Sequence, residues 1–365
     1  MLGKRYRLLW QLAKGLHKTQ ARTLVAMVQG LIDCGQMRSF ALAGALARAT
    51  GVRFKSALKR FYRWVHGAHL DDLACWSALA GRVLVYAGRR PLVAVDWTEW
   101  HSGLRVLSAA VCVGARAVPV LVQAFSATDI PRSQNTRENT FVQLLVRLSA
   151  HMQRAVLIFD RGFRRIRLIR ELGWLAQPFI IRLAAKVQAV SESYTGLLSQ
   201  HPLRPGQRVD LGVCALGQTK PVRVRVIGVW APDQDEPWWL ATTLHSSARR
   251  VVAYYDRRMG IEEYFRDSKG CRYGIKIKWT AFTDPATLTR LFLLAAIASA
   301  VWLLAGVPAC RADPSLRLDT GRKGPRRSLV AVGIDSPQAI ATVLAQSWGA
   351  LRTLWPKARL RDFAW

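Results

Sequence analysis

The hydrophobic pattern changes period once, near residue 90. Before it, "TLVAMVQGLIDCG", "SFALAGALARATG" and "SALKRFYRWV" repeat apolar residues at helical spacing. Gly35 and Gly51 fit as helix stops, and Ser39 and Ser56 as N-caps. From Pro91 the runs are those of buried strands: "PLVAVDW", "LRVLSAAVCVG" and "RAVPVLVQAF", the last two joined by a tight turn near Gly114 and Ala115. "NTFVQLLVRLSAHM" is helical, "AVLIFD" is a strand ending on an acid, "GFRRIRLIRELG" returns to helix and "PFIIRLAAKV" to strand. Three meandering strands followed by alternating helix and strand predict an α/β fold, a mixed sheet with helices on its faces, behind an all-α N-terminal domain.

Residues 185–245 break the alternation. Gly and Pro punctuate "QRVDLGVCALG", "KPVRVRVIGVW" and "PWWLATTL", which predicts a β-rich insertion ahead of a helix at 250–269. The longest apolar run is Leu291 to Ala305. A membrane-spanning helix needs about twenty residues, so the run predicts a buried core helix, opened by Asp284 as N-cap and Pro285 at the first helical position. After it come a loop-like stretch with a basic run at Arg322, Lys323, Arg326 and Arg327, then an amphipathic helix at about 336–352. The expected units are a helical one at 1–80, an α/β one at 85–310 and a C-terminal region at 311–365.

Charge adds a partner to this outline. The formal net charge is +31, and residues 1–70 hold 13 Lys and Arg against a single acid, Asp33. Such a surface binds phosphates by releasing counterions, so the expected partner is nucleic acid, with double-stranded DNA suited to the helical N-terminal unit. An anionic membrane surface is the weaker alternative. The 6 cysteines form no C-x-x-C pair, which argues against a zinc site or a disulfide framework and fits a reducing cytoplasm. "MLGKRYRLLWQLAKG" lacks the sustained apolar core of a signal peptide.

Three acids carry the candidate chemistry. Asp96 ends "VAVD" and Asp160 ends "VLIFD". A carboxylate on a buried strand must be paired, neutralised or metal-bound, because a bare buried charge is costly. The third comes from "YYDRRMGIEEYFRDSKG", residues 254–270. At about 100° per residue, Tyr255, Arg258, Glu262 and Lys269 fall within roughly 60° of one another, joined by Arg266. Asp256, Glu263 and Asp267 gather on another face. Glu262 also has Arg258 and Arg266 one turn away on either side, as a solvent-exposed helix would. Three carboxylates from two strands and a helix would suit two divalent cations such as Mg²⁺, which prefers oxygen ligands. Two such ions can drive in-line displacement at a phosphodiester. Glu99, His101 and His151 are read as neighbours or satisfied side chains, since metal activation needs no protein base.

Asp96, Asp160 within "DRGF", and Glu262 within Tyr255-x2-Arg258-x3-Glu262-x6-Lys269 resemble the acidic triad of insertion-sequence DDE transposases with the Y-R-E-K signature. The resemblance covers about residues 85–305. It implies an RNase H-like catalytic core with a β insertion, an N-terminal domain that binds terminal inverted repeats, and a C-terminal region making homodimer contacts. It further implies that Asp96, Asp160 and Glu262 hold two Mg²⁺ ions, with Mn²⁺ able to substitute, and that Tyr255, Arg258, Lys269, Arg161 and Arg182 contact DNA. Trp238, or equally Trp239, would stack on an unpaired base. Met259 stands where some relatives carry an aromatic. The implied function is metal-dependent strand cleavage and strand transfer. The alternatives are an RNase H-like nuclease or resolvase without strand transfer, and a domesticated, non-catalytic DNA-binding protein.

Overall fold

Where the helical period ends, the sheet begins. A computed structural model of the chain describes residues 6–67, 71–101, 103–114, 116–217, 220–270, 275–317 and 329–353. Five helices precede the sheet: α1 (Arg7–Leu12), α2 (Lys18–Cys34), α3 (Ser39–Thr50), α4 (Phe54–His66) and α5 (Asp72–Tyr86). Gly35 and Gly51 end α2 and α3 in the left-handed conformation, at φ 66° and 71°. Ser39 and Ser56 do not cap. Extended Arg38 and Arg53 hold the N-cap positions, so Ser39 is already helical and Ser56 lies inside the first turn. Asp71 caps α5, accepting from the Ala74 N–H at 2.9 Å.

The strands follow as β1 (Leu92–Trp100), β2 (Leu104–Val113) and β3 (Arg116–Ser126), then α6 (Ile130–Arg147), β4 (Val156–Phe159), α7 (Ile166–Trp174) and β5 (Phe179–Leu183). Ala115, in the expected β2–β3 turn, lies outside the described residues, as does Cys271. The other five cysteines are free thiols. The β-rich segment supplies β6 (Gln188–Val190), β7 (Thr195–Leu197), β8 (Arg208–Leu216), β9 (Val222–Val229) and β10 (Trp238–Thr242).

All ten strands form one sheet in the order β3-β2-β1-β4-β5-β10-β9-β8-β6-β7. β4 runs parallel to β1 and to β5, and every other pairing is antiparallel. The first five strands have the order and directions of an RNase H-like core. The insertion is continuous with that core, because β10 pairs with β5 from Trp239↔Leu183 to Thr242↔Ile180. This covers a strand edge that would otherwise expose unpaired backbone groups.

Helices α8 (Ala248–Asp256), α9 (Met259–Lys269) and α10 (Pro285–Ala312) then return across the sheet, followed by α11 (Leu329–Ile334) and α12 (Pro337–Ala345). Asp284 caps α10 as expected, accepting from the Thr287 N–H at 2.7 Å. α10 continues beyond its apolar run, through Pro308, to Ala312. It is long and apolar enough to cross a membrane, yet 94% of its most apolar window is buried inside the fold. It packs on β3, α2 and α11. An added Cβ at Gly333 would lie 1.8 Å from the Trp302 carbonyl oxygen, so α11 meets α10 at backbone contact. The expected helix at 336–352 ends at Ala345, and a 3₁₀ turn follows at Trp348–Thr353. Arg322, Lys323, Arg326 and Arg327 lie outside the described residues.

Candidate active site

Strand alternation sorts the side chains of β1. Asp96, Thr98 and Trp100 project to one face, and Trp97 and Glu99 to the other. β1 and β4 run in parallel register up to Val95↔Phe159, so the next residues, Asp96 and Asp160, leave adjacent strands side by side. This is the carboxyl end of the parallel strands, where open α/β sheets place their ligand sites. Asp160 is the first residue past β4 and is still extended, before a 3₁₀ turn at Arg161–Phe163.

The third acid arrives on α9, but the expected single helix at 250–269 is two. α8 stops at Asp256 and α9 starts at Met259. Between them the bonds tighten to i→i−3: Arg258 N–H donates to the Tyr255 carbonyl at 2.9 Å, and Ile261 N–H to that of Arg258 at 2.9 Å. A 3₁₀ turn advances more per residue than an α turn, so it rotates α9 relative to α8. Gly260 sits at this junction, where an added Cβ would lie 2.8 Å from the Arg116 carbonyl oxygen of β3. Gly260→Ala is therefore expected to push α9 off the sheet, lowering the melting temperature and displacing Glu262. Thermal unfolding beside the DNA cleavage rate checks both effects.

Arg258 is the hub of the face. Its guanidinium donates to Asp96 Oδ2 at 2.8 Å and to Glu262 Oε1 at 2.8 Å. Side-chain exposure is 12% for Arg258 and 17% for Asp96, against 43% for Glu262. Burial pushes Asp96 up to about 6; the charges of Asp160 and Glu262 add to this, while Arg258 and the Trp97 N–H oppose it. Burial acts to lower Arg258, but Tyr255, Asp96, Asp160 and Glu262 outweigh it and hold the guanidinium above its ordinary value. Burial also pushes Tyr255 up to about 12. Lys269 at the far end of α9 donates to Thr98 Oγ1 at 2.6 Å and lies 5.8 Å from the Trp100 ring centroid. α9 thus lies along β1 with both cations on the Asp96 face.

Glu263 belongs elsewhere. It accepts from Arg116 at 2.5 Å, and Arg116 also reaches Asp267 at 3.5 Å. Arg266, grouped with Glu262 on an ideal helix, instead pairs with Glu263 at 2.7 Å, one short turn away. Burial pushes Asp267 up to about 6, with Arg116 opposing.

A basic and aromatic patch adjoins the carboxylates. Arg161 and Arg182 both donate to Glu236 Oε1, at 3.0 and 2.6 Å. Arg182 lies 5.8 Å from the Trp238 ring centroid, and Trp238 meets Tyr255 edge-on at 5.1 Å. Trp239 points to the other side of the sheet, 1% exposed and packed on His201, so of the two tryptophans only Trp238 reaches this patch. In the N-terminal helices a separate concavity of about 570 Å³ is lined by Trp10, Lys18, Arg22 and Arg60.

Among the described residues no three carboxylate, His or Cys side chains are gathered closely enough to hold one metal ion. The donor set nevertheless fits hard divalent cations in kind: three carboxylates offer oxygen donors, and two of them are held by the one guanidinium of Arg258. Asp96, Asp160 and Glu262 are the residues that would hold the ions, once Arg258 releases its hold on Asp96 and Glu262.

Sequence reasoning passed over two acids. Glu236 sits in a polar loop, and Glu138 lies in a polar turn of α6 yet is 1% exposed. Neither carries a local signal, because their partners lie far away in the chain.

The mixed sheet, with acids at the ends of two parallel strands and on a facing helix, defines the class as an RNase H-like α/β fold. The chain belongs to the transposase DDE domain family, whose model matches residues 88–299. No curated protein matches the chain.

Proposed function

We propose that the protein is a DNA transposase that cuts and joins strands at the inverted-repeat ends of an insertion sequence. The juxtaposition of Asp96, Asp160 and Glu262 about Arg258, inside the matched domain, carries this reading. Two Mg²⁺ ions, or Mn²⁺ in their place, would activate the attacking water or 3′-hydroxyl and stabilise the leaving oxygen. Asp96, Asp160 and Glu262 would hold these ions. Arg258, freed from the carboxylates, joins Tyr255 and Lys269 in gripping phosphates near the cleaved bond. Arg161 and Arg182 bind further phosphates, and Trp238 stacks on an unpaired base. The helical unit at 1–80, with its basic concavity, binds the terminal repeats, and the C-terminal region contributes to a homodimer. The work is done on cytoplasmic DNA.

An end-joining assay tests the reading. A donor duplex carrying the element's end and a target plasmid, with Mg²⁺, are expected to give covalent donor–target products. Cleavage without joining would favour a nuclease or resolvase. Specific binding with no cleavage in Mg²⁺ or Mn²⁺ would favour a DNA-binding protein alone.

A further inference from the structure

β1 and β4 stop pairing at Val95↔Phe159, one residue short of the two acids. Pairing with β2 holds Asp96 within β1 as far as Trp100, but no β1–β4 pairing reaches Asp96 and Asp160, which leaves their mutual spacing open to a further constraint. The buried carboxylate of Glu138 touches the chain just beyond each of them. Its Oε1 accepts from Trp97 Nε1 at 2.8 Å, and Trp97 directly follows Asp96. Its Oε2 accepts from Arg165 at 2.5 Å, and Arg165 is the N-cap of α7, five residues beyond Asp160.

Both ends are locked from other sides. The Trp97 ring packs on Phe125 at 5.6 Å, with the Arg105 guanidinium 5.5 Å from its centroid. Arg165 also donates to Asn139 Oδ1 at 3.1 Å and to the Asn135 carbonyl at 3.3 Å. Its own carbonyl accepts from the Ile169 N–H as α7 begins. Glu138 on α6 thus joins β1, through Trp97, to the start of α7 that follows β4, through Arg165. A buried ion pair adds little stability over an apolar substitute, which makes a geometric role the better account of its presence here.

We propose that Glu138 is a positioning residue that fixes the separation of Asp96 and Asp160 for metal binding, acting through Trp97 and Arg165. This rests on the metal-dependent reading above. The test uses the full-length protein with Fe²⁺ as probe and hydrogen peroxide and ascorbate added at fixed concentration, reading hydroxyl-radical cleavage of the polypeptide near residues 96 and 160 against Fe²⁺ concentration. Glu138→Gln is expected to raise the half-maximal Fe²⁺ concentration about tenfold, the lower end of what outer partners of metal ligands contribute. Trp97→Phe, which removes the donor while keeping an aromatic ring, and Arg165→Lys should move it in the same direction. Gln134→Ala should not, since Gln134 donates to the same Glu138 oxygen at 2.8 Å from within α6 and ties down neither strand.

Thermal unfolding is measured on every variant, and should Glu138→Gln fail to fold, Trp97→Phe and Arg165→Lys decide. A lowered melting temperature with an unmoved Fe²⁺ midpoint would overturn the positioning role and leave the transposase reading intact. No site-directed cleavage in the wild-type protein would overturn the metal site, and this proposal with it.

Discussion

Asp96→Asn, Asp160→Asn and Glu262→Gln are each expected to abolish Mg²⁺-dependent strand cleavage while DNA-end binding persists. On the proposed reading, each removes one of the three carboxylates whose oxygens would bind the divalent ions. Stabilisation of a phosphoryl transition state by such ions amounts to several kcal/mol. A loss of about 4 kcal/mol is about a thousandfold in rate, so activity should drop by about three orders of magnitude or more. Glu263→Gln is the control that gives the prediction its edge. Glu263 is adjacent to Glu262 in sequence, but its partners are Arg116 and Arg266, away from Asp96. Its substitution should cost some helix–sheet attachment and little cleavage. Gel-shift binding and nicking of a labelled end, measured in parallel on the four variants, separate these outcomes. Equal loss in Glu262→Gln and Glu263→Gln would overturn the assignment of the third ligand.

That contrast is legible in the sequence alone, and the reason is geometric. Helical periodicity separates neighbours by about 100°, so adjacent glutamates must diverge whatever they pack against. Likewise "VAVD" and "VLIFD" announce buried strands, because runs of that length and branching leave few other choices. What stayed hidden depends on contacts distant in sequence. The backbone approach of Gly260 to Arg116, beside the tightened turn at Arg257–Arg258, joins segments about 140 residues apart, a separation no local pattern reports. The merging of the insertion into the core sheet through β10 and β5 is of the same kind. Capping was misread at Ser39 and Ser56 for a local reason. Extended arginines precede both helices, and the backbone turned helical at or before the serine. Glu138 shows the limit most plainly: nothing in "RENT" tells a solvated glutamate from one tied to Trp97 and Arg165.

Arg258→Ala is expected to have the second large effect, and on stability as well as activity. Removing one partner of a buried ion pair strands the other, at a cost of about 3–5 kcal/mol. Asp96 would be the stranded group, and burial already pushes it up to about 6 even with Arg258 beside it. The sign of the pH dependence follows. A carboxyl held above its unfolded value favours the folded state fully below that value, about 3.9, and the contribution is lost as pH rises through about 6. Asp267, pushed to about 6 as well, adds to the same window in every variant that retains it. Without Arg258 the Asp96 value moves higher still, so Arg258→Ala should lose the most melting temperature at neutral pH and recover part of it toward pH 5. Asp96→Asn should differ: it removes the buried charge and loses cleavage, while Arg258 keeps Glu262 as its ion-pair partner, so this variant should melt close to the wild-type protein at pH 7. The double variant closes the cycle, because an asparagine has no charge to strand. Arg258→Ala should therefore be much less harmful in the Asp96→Asn background than alone. Melting curves of the four proteins between pH 5 and pH 8, without added metal, measure that coupling, and additive losses would mean that Arg258 supports the fold through contacts other than Asp96.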